Sequence, residues 1–462
     1  MLPIPNPPSA FISTLQHRRQ KLAQLIDFPA ILWSGSRYSR NFPANCFPFR
    51  SSSHFLYFAG LPLEGAVIRL EGGKLELFMD HAPLGSALWC GEMPHPSEIG
   101  DTIGADAVYP LEKLPHRVTD AATIALVDAT ARTQQEKILQ RSLPATTNAP
   151  QGQDYRLARA IITLRLCHDL SALAELKRAG TVTIAAHQAG MVATREGCRE
   201  SDVRAAMERV ILAENMTCAY NSIVTVHGEV LHNERYHHTL QSGDLLLADV
   251  GAETELGWAA DITRTWPVSG KFSATQREIY NLVLAAHDTC IDKMRPGVEY
   301  RDIHLTAASV IATGLVEIGI LKGKPEQLVE MDAHALFFPH GIGHLLGLDV
   351  HDMEDLGDLA GYAEGRSRSD RFGLGFLRLN RPLQAGMLVT IEPGFYQVPA
   401  ILQDPKLPLK YQKVINWERL EQFADVRGIR IEDDVLITGA GAEVLTASLP
   451  TQADAIEEGC RV

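Results

Sequence analysis

The stretch Leu245-Leu-Leu-Ala-Asp249-Val-Gly251-Ala-Glu-Thr-Glu-Leu-Gly257-Trp-Ala-Ala-Asp261-Ile-Thr-Arg-Thr-Trp-Pro267 closes a strongly apolar run with one acid and places a second twelve positions later. A turn containing Gly257 between them predicts a hairpin. The even spacing lets both carboxylates project from one face unless a bulge intervenes. Taken singly, an acid at a strand end is more often a turn or capping residue than a ligand, so the pair gains meaning only from what accompanies it.

Three other segments accompany it. Pro339-His340-Gly-Ile-Gly-His344-Leu-Leu-Gly-Leu-Asp-Val-His351-Asp352 carries three histidines, and the glycines among them let backbone or ligand approach closely. His340 and His344 share a face in either a helix or an extended chain. One histidine on an apolar segment is usually a hydrogen-bonded core residue, but three with interleaved glycines point to a site. Leu388-Val-Thr-Ile-Glu392-Pro and Ile429-Arg430-Ile-Glu432-Asp-Asp each drive a glutamate into an otherwise apolar strand. A buried ionised carboxylate needs a cation, a proton or a hydrogen-bond donor. The simplest partner for Glu432 is Arg430, two residues earlier on the same strand face. For Glu392 it is hydrogen bonding at a strand end before Pro393.

Asp249, Asp261, His344, Glu392 and Glu432 together form an oxygen-rich set with a single imidazole. Such a set suits hard or borderline divalent ions, Mn²⁺ foremost, with Co²⁺, Fe²⁺ or Zn²⁺ as alternatives. Four carboxylates carry enough charge for two ions. Two ions about 3.5 to 4 Å apart would lower the pKa of a shared water and polarise a carbonyl, which is hydrolytic chemistry.

The rest of the chain frames this set. At 462 residues, 45% hydrophobic and 21% charged, it has the composition of a soluble globular protein of two or three domains. A net charge of -13 argues against nucleic acid and anionic membranes as partners and favours small substrates. No apolar run approaches a membrane span, and the proline-rich first ten residues followed by charged residues 17–21 have no signal-peptide core, so the expected location is the cytoplasm. Seven scattered cysteines without a CxxC pair fit reduced thiols and exclude a cysteine zinc site.

Residues 31–33, 55–58, 66–70 and 124–127 read as strands of a mixed α/β N-terminal domain, and 143–154 as a boundary. Amphipathic helices are predicted at 169–191, 202–214 and 274–294, the last with a Ser273/Gln276 capping box. Strands are predicted at 244–250, 258–267, 387–392 and 429–438. The expected organisation is a smaller α/β domain over 1–160 and a larger α+β domain over 161–462.

The five acid and histidine segments, in this order, resemble the creatinase/aminopeptidase P/prolidase family of metallopeptidases, and the resemblance runs from about residue 162 to 455. More loosely, Phe49-Arg-Ser-Ser-Ser-His-Phe-Leu-Tyr-Phe-Ala-Gly60 resembles an early segment of the family's N-terminal domain. The resemblance implies a pita-bread catalytic domain, in which Asp249 chelates one ion, Asp261 and Glu432 bridge two, and His344 and Glu392 complete the second. It further implies that a bridging water or hydroxide attacks the scissile carbonyl while Glu392 handles the proton. His351 would contact the substrate carbonyl and its oxyanion, and His232 and His340 would line the substrate site with Arg430. The 249 to 261 interval is one residue longer than is usual, implying a longer turn or a bulge. Because all five ligand positions are filled, the resemblance implies an enzyme rather than a binding module.

Within the family, two features point to the prolidase branch and hence to hydrolysis of Xaa-Pro dipeptides. Phe376-Leu-Arg378-Leu-Asn-Arg381-Pro resembles the segment whose first arginine binds a dipeptide carboxylate, and 398–426 resembles the prolidase insertion. A fixed arginine there excludes longer chains; without the resemblance, Arg378 reads equally as a loop cation. The alternative is an aminopeptidase P acting on longer Xaa-Pro peptides. Trp89 matches a tryptophan that reaches a neighbouring subunit in aminopeptidase P relatives, though N-domain core is the simpler reading for it. Small proline-containing peptides are the expected partners, and the family implies a homo-oligomer, dimer or tetramer.

Overall fold

The computed structural model describes residues 9–145, 150–405 and 407–460. They fall into two units: the described part of Met1–Leu166 with Met353–Ala360, and Cys167–Asp352 with the described part of Gly361–Val462. Residues 146–149 of the predicted boundary lie outside the described set, as do residues 1–8 of the proline-rich start and Lys406 of the 398–426 insertion.

In the first unit a five-stranded sheet runs Ala107–Tyr109, Lys74–Phe78, Val67–Glu71, Ala30–Trp33, Ala122–Thr123, antiparallel in the middle and parallel at both outer pairings. Ile31, Trp33, Val67, Phe78, Leu114 and Ala121 pack its core. Arg19, fully buried, donates to the carbonyls of Phe58, Ile103 and Gly104, satisfying the carbonyl ends of two helices. Three expectations are corrected here. The apolar run 55–58 is not a strand but part of the helix Ser53–Ala59, every residue of which is buried; a short run apolar on all sides carries no period to distinguish the two. The last strand is Ala122–Thr123, ending before 124–127. Trp89 is not core: it is 84% exposed on Ser86–Cys90, a helix that buries none of its residues.

The second unit has the pita-bread α+β architecture. Antiparallel strands Ile223–Thr225, Leu245–Val250 and Ile262–Pro267 form one sheet, and Leu388–Ile391, Asp433–Ile437 and Ala442–Val444 another. An antiparallel bridge between Thr263 and Glu432 joins the segments that carry their acids. Helices Leu170–Ala193 and Glu200–Ala213 form one pair, and Ala274–Lys293 and Tyr300–Glu317 the other. The Ser273/Gln276 capping box starts the third of these as its sequence predicts. The predicted strand 429–438 is broken, with Gly428–Arg430 pairing with Gly394–Tyr396 and Asp433–Ile437 pairing with Leu388–Ile391. Glu432 sits at that break. Among the described residues no helix is long and apolar enough to cross a membrane.

Candidate metal centre

The hairpin predicted from 245–267 forms, with Asp249 opposite Thr263 in antiparallel register. Its outer end closes in a tight turn, where the Gly257 N–H donates to the Thr254 carbonyl and Glu253 bridges Ala259. Asp249 and Asp261 project to the same side: the Tyr220 hydroxyl lies 2.6 Å from Asp249 Oδ1 and 2.5 Å from Asp261 Oδ1.

Asp261, His344 and Glu432, all buried, place potential ligand atoms within 4.8 Å of one another. His344 Nε2 is 3.3 Å from Asp261 Oδ2 and 3.9 Å from Glu392 Oε1. Burial pushes the pKa values of Asp261, Glu392 and Glu432 well up. Repulsion adds to this, from Asp249 on Asp261, from Glu432 on Glu392 and from Asp261 on Glu432. His344 donates from Nδ1 to the Leu345 carbonyl at 2.9 Å, which leaves the Nε2 lone pair facing carboxylate oxygens. Lone pair against lone pair, in a buried acid cluster, is the arrangement a divalent cation relieves, so the residues fit the metal that their chemistry implies. Asp261, His344 and Glu432 thus make up a clustered acidic and histidine metal-binding site.

Arg430 is buried, but not as the partner of Glu432. Its Nη2 lies 2.5 Å from Asp249 Oδ2, Nε donates to Thr263 Oγ1 at 3.0 Å and Nη1 to the Tyr396 hydroxyl at 3.0 Å. Glu432 instead accepts from Thr263 Oγ1 at 2.7 Å. Beyond Tyr396 the network reaches His340: Nδ1 donates to the Gly341 carbonyl at 2.8 Å, so Nε2, 2.9 Å from Tyr396, accepts its hydroxyl proton. Burial, with Arg430 nearby, lowers the His340 pKa to about 3, which keeps the ring neutral. His340 Nδ1 also lies 3.5 Å from Glu392 Oε2.

His351 packs against His344 with ring centroids 4.0 Å apart and planes tilted by 52°, on a left-handed backbone at φ 56°. His232 is exposed at the margin; its pKa is lowered first by partial burial and then by Arg430, and the charges of Asp249, Arg378 and His351 all reach it. Arg378 likewise acts on His340. Asp261, His344 and Glu432 thus converge, Asp249 joins Asp261 through the Tyr220 hydroxyl, and Glu392 and His340 lie beside them; His351 packs on His344, while His232 and Arg378 are tied to this centre through charge.

Four participants have no prominent sequence signal of their own. Thr263 and Tyr396 follow Asp261 and Glu392 by two and four residues, so strand parity could have found them. Asp434, which accepts the Asp261 N–H at 3.2 Å, and Tyr220 are placed only by pairing between distant segments.

Residues 174–439 match the family model "Metallopeptidase family M24", and residues 15–125 match "Aminopeptidase P, N-terminal domain". The chain is 30% identical to the Xaa-Pro aminopeptidase of Escherichia coli over 463 residues, 96% of each chain. It is also 30% identical to human Xaa-Pro dipeptidase, over 88% of this chain and 84% of the relative. Its fold superimposes on zinc-substituted E. coli aminopeptidase P in complex with product with a TM-score of 0.79 at 28% identity, covering 97% of this chain and 98% of the other. On these matches the chain belongs to metallopeptidase family M24, within its pita-bread aminopeptidase P/prolidase group.

Proposed function

We propose that this protein is a metal-dependent peptidase of Xaa-Pro bonds, and specifically an aminopeptidase that releases the N-terminal residue from peptides with proline in second place. The observation that carries the reading is the end-to-end likeness to E. coli aminopeptidase P, over 97% of this chain, together with the match of the N-terminal region to that enzyme's own domain. It displaces the dipeptidase preference drawn from the sequence, which rested on one loop and one insertion.

In this reading Asp249, Asp261, His344, Glu392 and Glu432 hold two divalent ions, Mn²⁺ by preference. When bound, such ions activate water at neutral pH and polarise the scissile carbonyl. Glu392, the most open of the clustered acids and next to His340, receives and returns the proton. His351 donates a hydrogen bond to the developing oxyanion, His340 and His232 flank the peptide, and Arg430 orients Asp249 through its ion pair. Exposed Leu84, Leu88 and Trp89 support the expectation of a homo-oligomer.

One observation favours a second reading. Arg378 lies close enough to His232 and His340 for its charge to act on both, as a receptor for a dipeptide carboxylate would. Rates on Ala-Pro against Ala-Pro-Ala with Mn²⁺ separate the two: preference for the tripeptide sustains the aminopeptidase, and preference for the dipeptide transfers the chain to the dipeptidases.

A further inference from the structure

Away from the acid cluster, the helix Tyr300–Glu317 buries His304 completely. His304 Nε2 meets the Gly373 carbonyl at 2.7 Å, while Nδ1 has no hydrogen-bond partner. Burial lowers its pKa to about 4, so the ring is neutral and its one proton belongs on Nε2, facing the carbonyl. A leucine would fill this space without stranding a buried polar atom. What the imidazole adds is that single bond.

The bond falls on the segment that ends at Arg378. At its start Arg371 grips Asp332 with two contacts, Nη2 to Oδ1 at 2.8 Å and Nε to Oδ2 at 3.3 Å. A tight turn follows, with the amides of Leu374 and Gly375 both donating to the Arg371 carbonyl. At its end the Tyr362 hydroxyl donates to the Leu377 carbonyl at 2.7 Å. The Arg378 backbone then passes between two glycines. A Cβ on Gly361 would lie 2.2 Å from the Arg378 carbonyl oxygen, and one on Gly341, the neighbour of His340, would lie 3.0 Å from that of Phe376. The segment is thus pinned at both ends, and His304 holds its middle.

We propose that His304 is a positioning residue for Arg378: its bond to Gly373 fixes the 371–378 segment, and so sets where the guanidinium meets the peptide beyond the scissile bond. The proposal rests on the reading that Arg378 faces substrate. It makes His304 a determinant of peptide-length preference without touching substrate or metal.

The test uses the Mn²⁺-loaded full chain, with Ala-Pro and Ala-Pro-Ala as substrates for wild type, His304→Leu, His304→Gln, Arg378→Ala and the double variant His304→Leu/Arg378→Ala. His304→Leu is expected to raise KM roughly five-fold or more for whichever length Arg378→Ala impairs, with kcat within about two-fold and metal content unchanged. His304→Gln, which keeps an N–H donor near the Nε2 position, should restore most of the loss. In the Arg378→Ala background, His304→Leu should have almost no further effect. Additive losses in the double variant, a loss confined to kcat or metal content, or no rescue by glutamine would overturn the proposal. The two failures are distinguishable: an inert Arg378→Ala ends the reading of Arg378 and the proposal with it, whereas an effective Arg378→Ala beside an inert His304→Leu ends the proposal alone.

Discussion

The guanidinium of Arg430 pairs with Asp249, at 2.5 Å, rather than with Glu432 two residues along its own chain. Its charge also draws down the pKa values of Asp261, Glu392 and Glu432, yet burial first and the repulsion among the acids second still hold all three well above the ordinary carboxylate range. Arg430→Met should leave Asp249 a buried charge without its partner, lowering the stability of the metal-free protein by about 3 to 5 kcal/mol. Bound cations would supply part of the missing charge, so the loss should be smaller with Mn²⁺ present. Urea denaturation with and without Mn²⁺ checks this; equal losses in the two forms would mean that Arg430 does not compensate the cluster.

Because the acids repel one another in the absence of a cation, peptidase activity should vanish with a chelator and return with Mn²⁺ or Co²⁺. If Asp261 and Glu432 bridge two ions as proposed, Asp261→Asn and Glu432→Gln should each reduce the bound metal from two ions per chain to one or fewer and lose nearly all turnover, since each removes a charge shared by both ions. Metal analysis on the same samples used for kinetics decides it. Near-normal kcat with both metals retained in either variant would refute the bridging assignment.

What the sequence revealed and what it withheld follow from range. Asp249 and Asp261 were legible because a hairpin is local and its parity fixes a shared face, and the Ser273 cap was legible because its partner is three residues away. The partner of Arg430 was not, because same-strand parity points to Glu432 while Asp249 arrives from 181 residues earlier. Tyr220 was hidden for the same reason. The helix over 53–59 escaped notice because total burial erases the amphipathic period from which helices are read. Trp89 was misplaced because the size and apolarity of a side chain say nothing of what covers it.

Three buried histidines each oppose the fold as pH falls. Burial lowers the pKa values of His187 and His304 to about 4 and that of His334 to about 3. Below the unfolded value of about 6.5 the unfolded chain binds protons that the folded chain refuses, so stability falls as pH drops from there toward the folded values. Each ring should cost about 2 kcal/mol between pH 7 and pH 5. Neither ring nitrogen of His334 makes a well-formed hydrogen bond, although the Gly373 carbonyl is near enough to act on it. His334→Phe should accordingly be near neutral at pH 7 and lose about 2 kcal/mol less than wild type on going to pH 5. Urea midpoints of the metal-free proteins at the two pH values give the answer, and identical pH dependence in both would remove His334 from this account.

His351 separates binding from chemistry. Its ring lies 4.0 Å from that of His344, yet it does not belong to the buried trio of Asp261, His344 and Glu432 whose atoms converge. The left-handed backbone at φ 56° is uncommon for a residue other than glycine, and such conformations cluster where a side chain is aimed at a site. Aimed at the carbonyl oxygen, an imidazole N–H would strengthen its hydrogen bond as negative charge develops and contribute little before that. His351→Ala should therefore lower kcat by about 10² to 10³ while KM moves much less and the bound metal is unchanged. Alanine is less at home than histidine at this φ, so folding of the variant is checked by its urea midpoint. A parallel loss of metal would instead make His351 a ligand, and a loss confined to KM would make it a ground-state contact with the peptide.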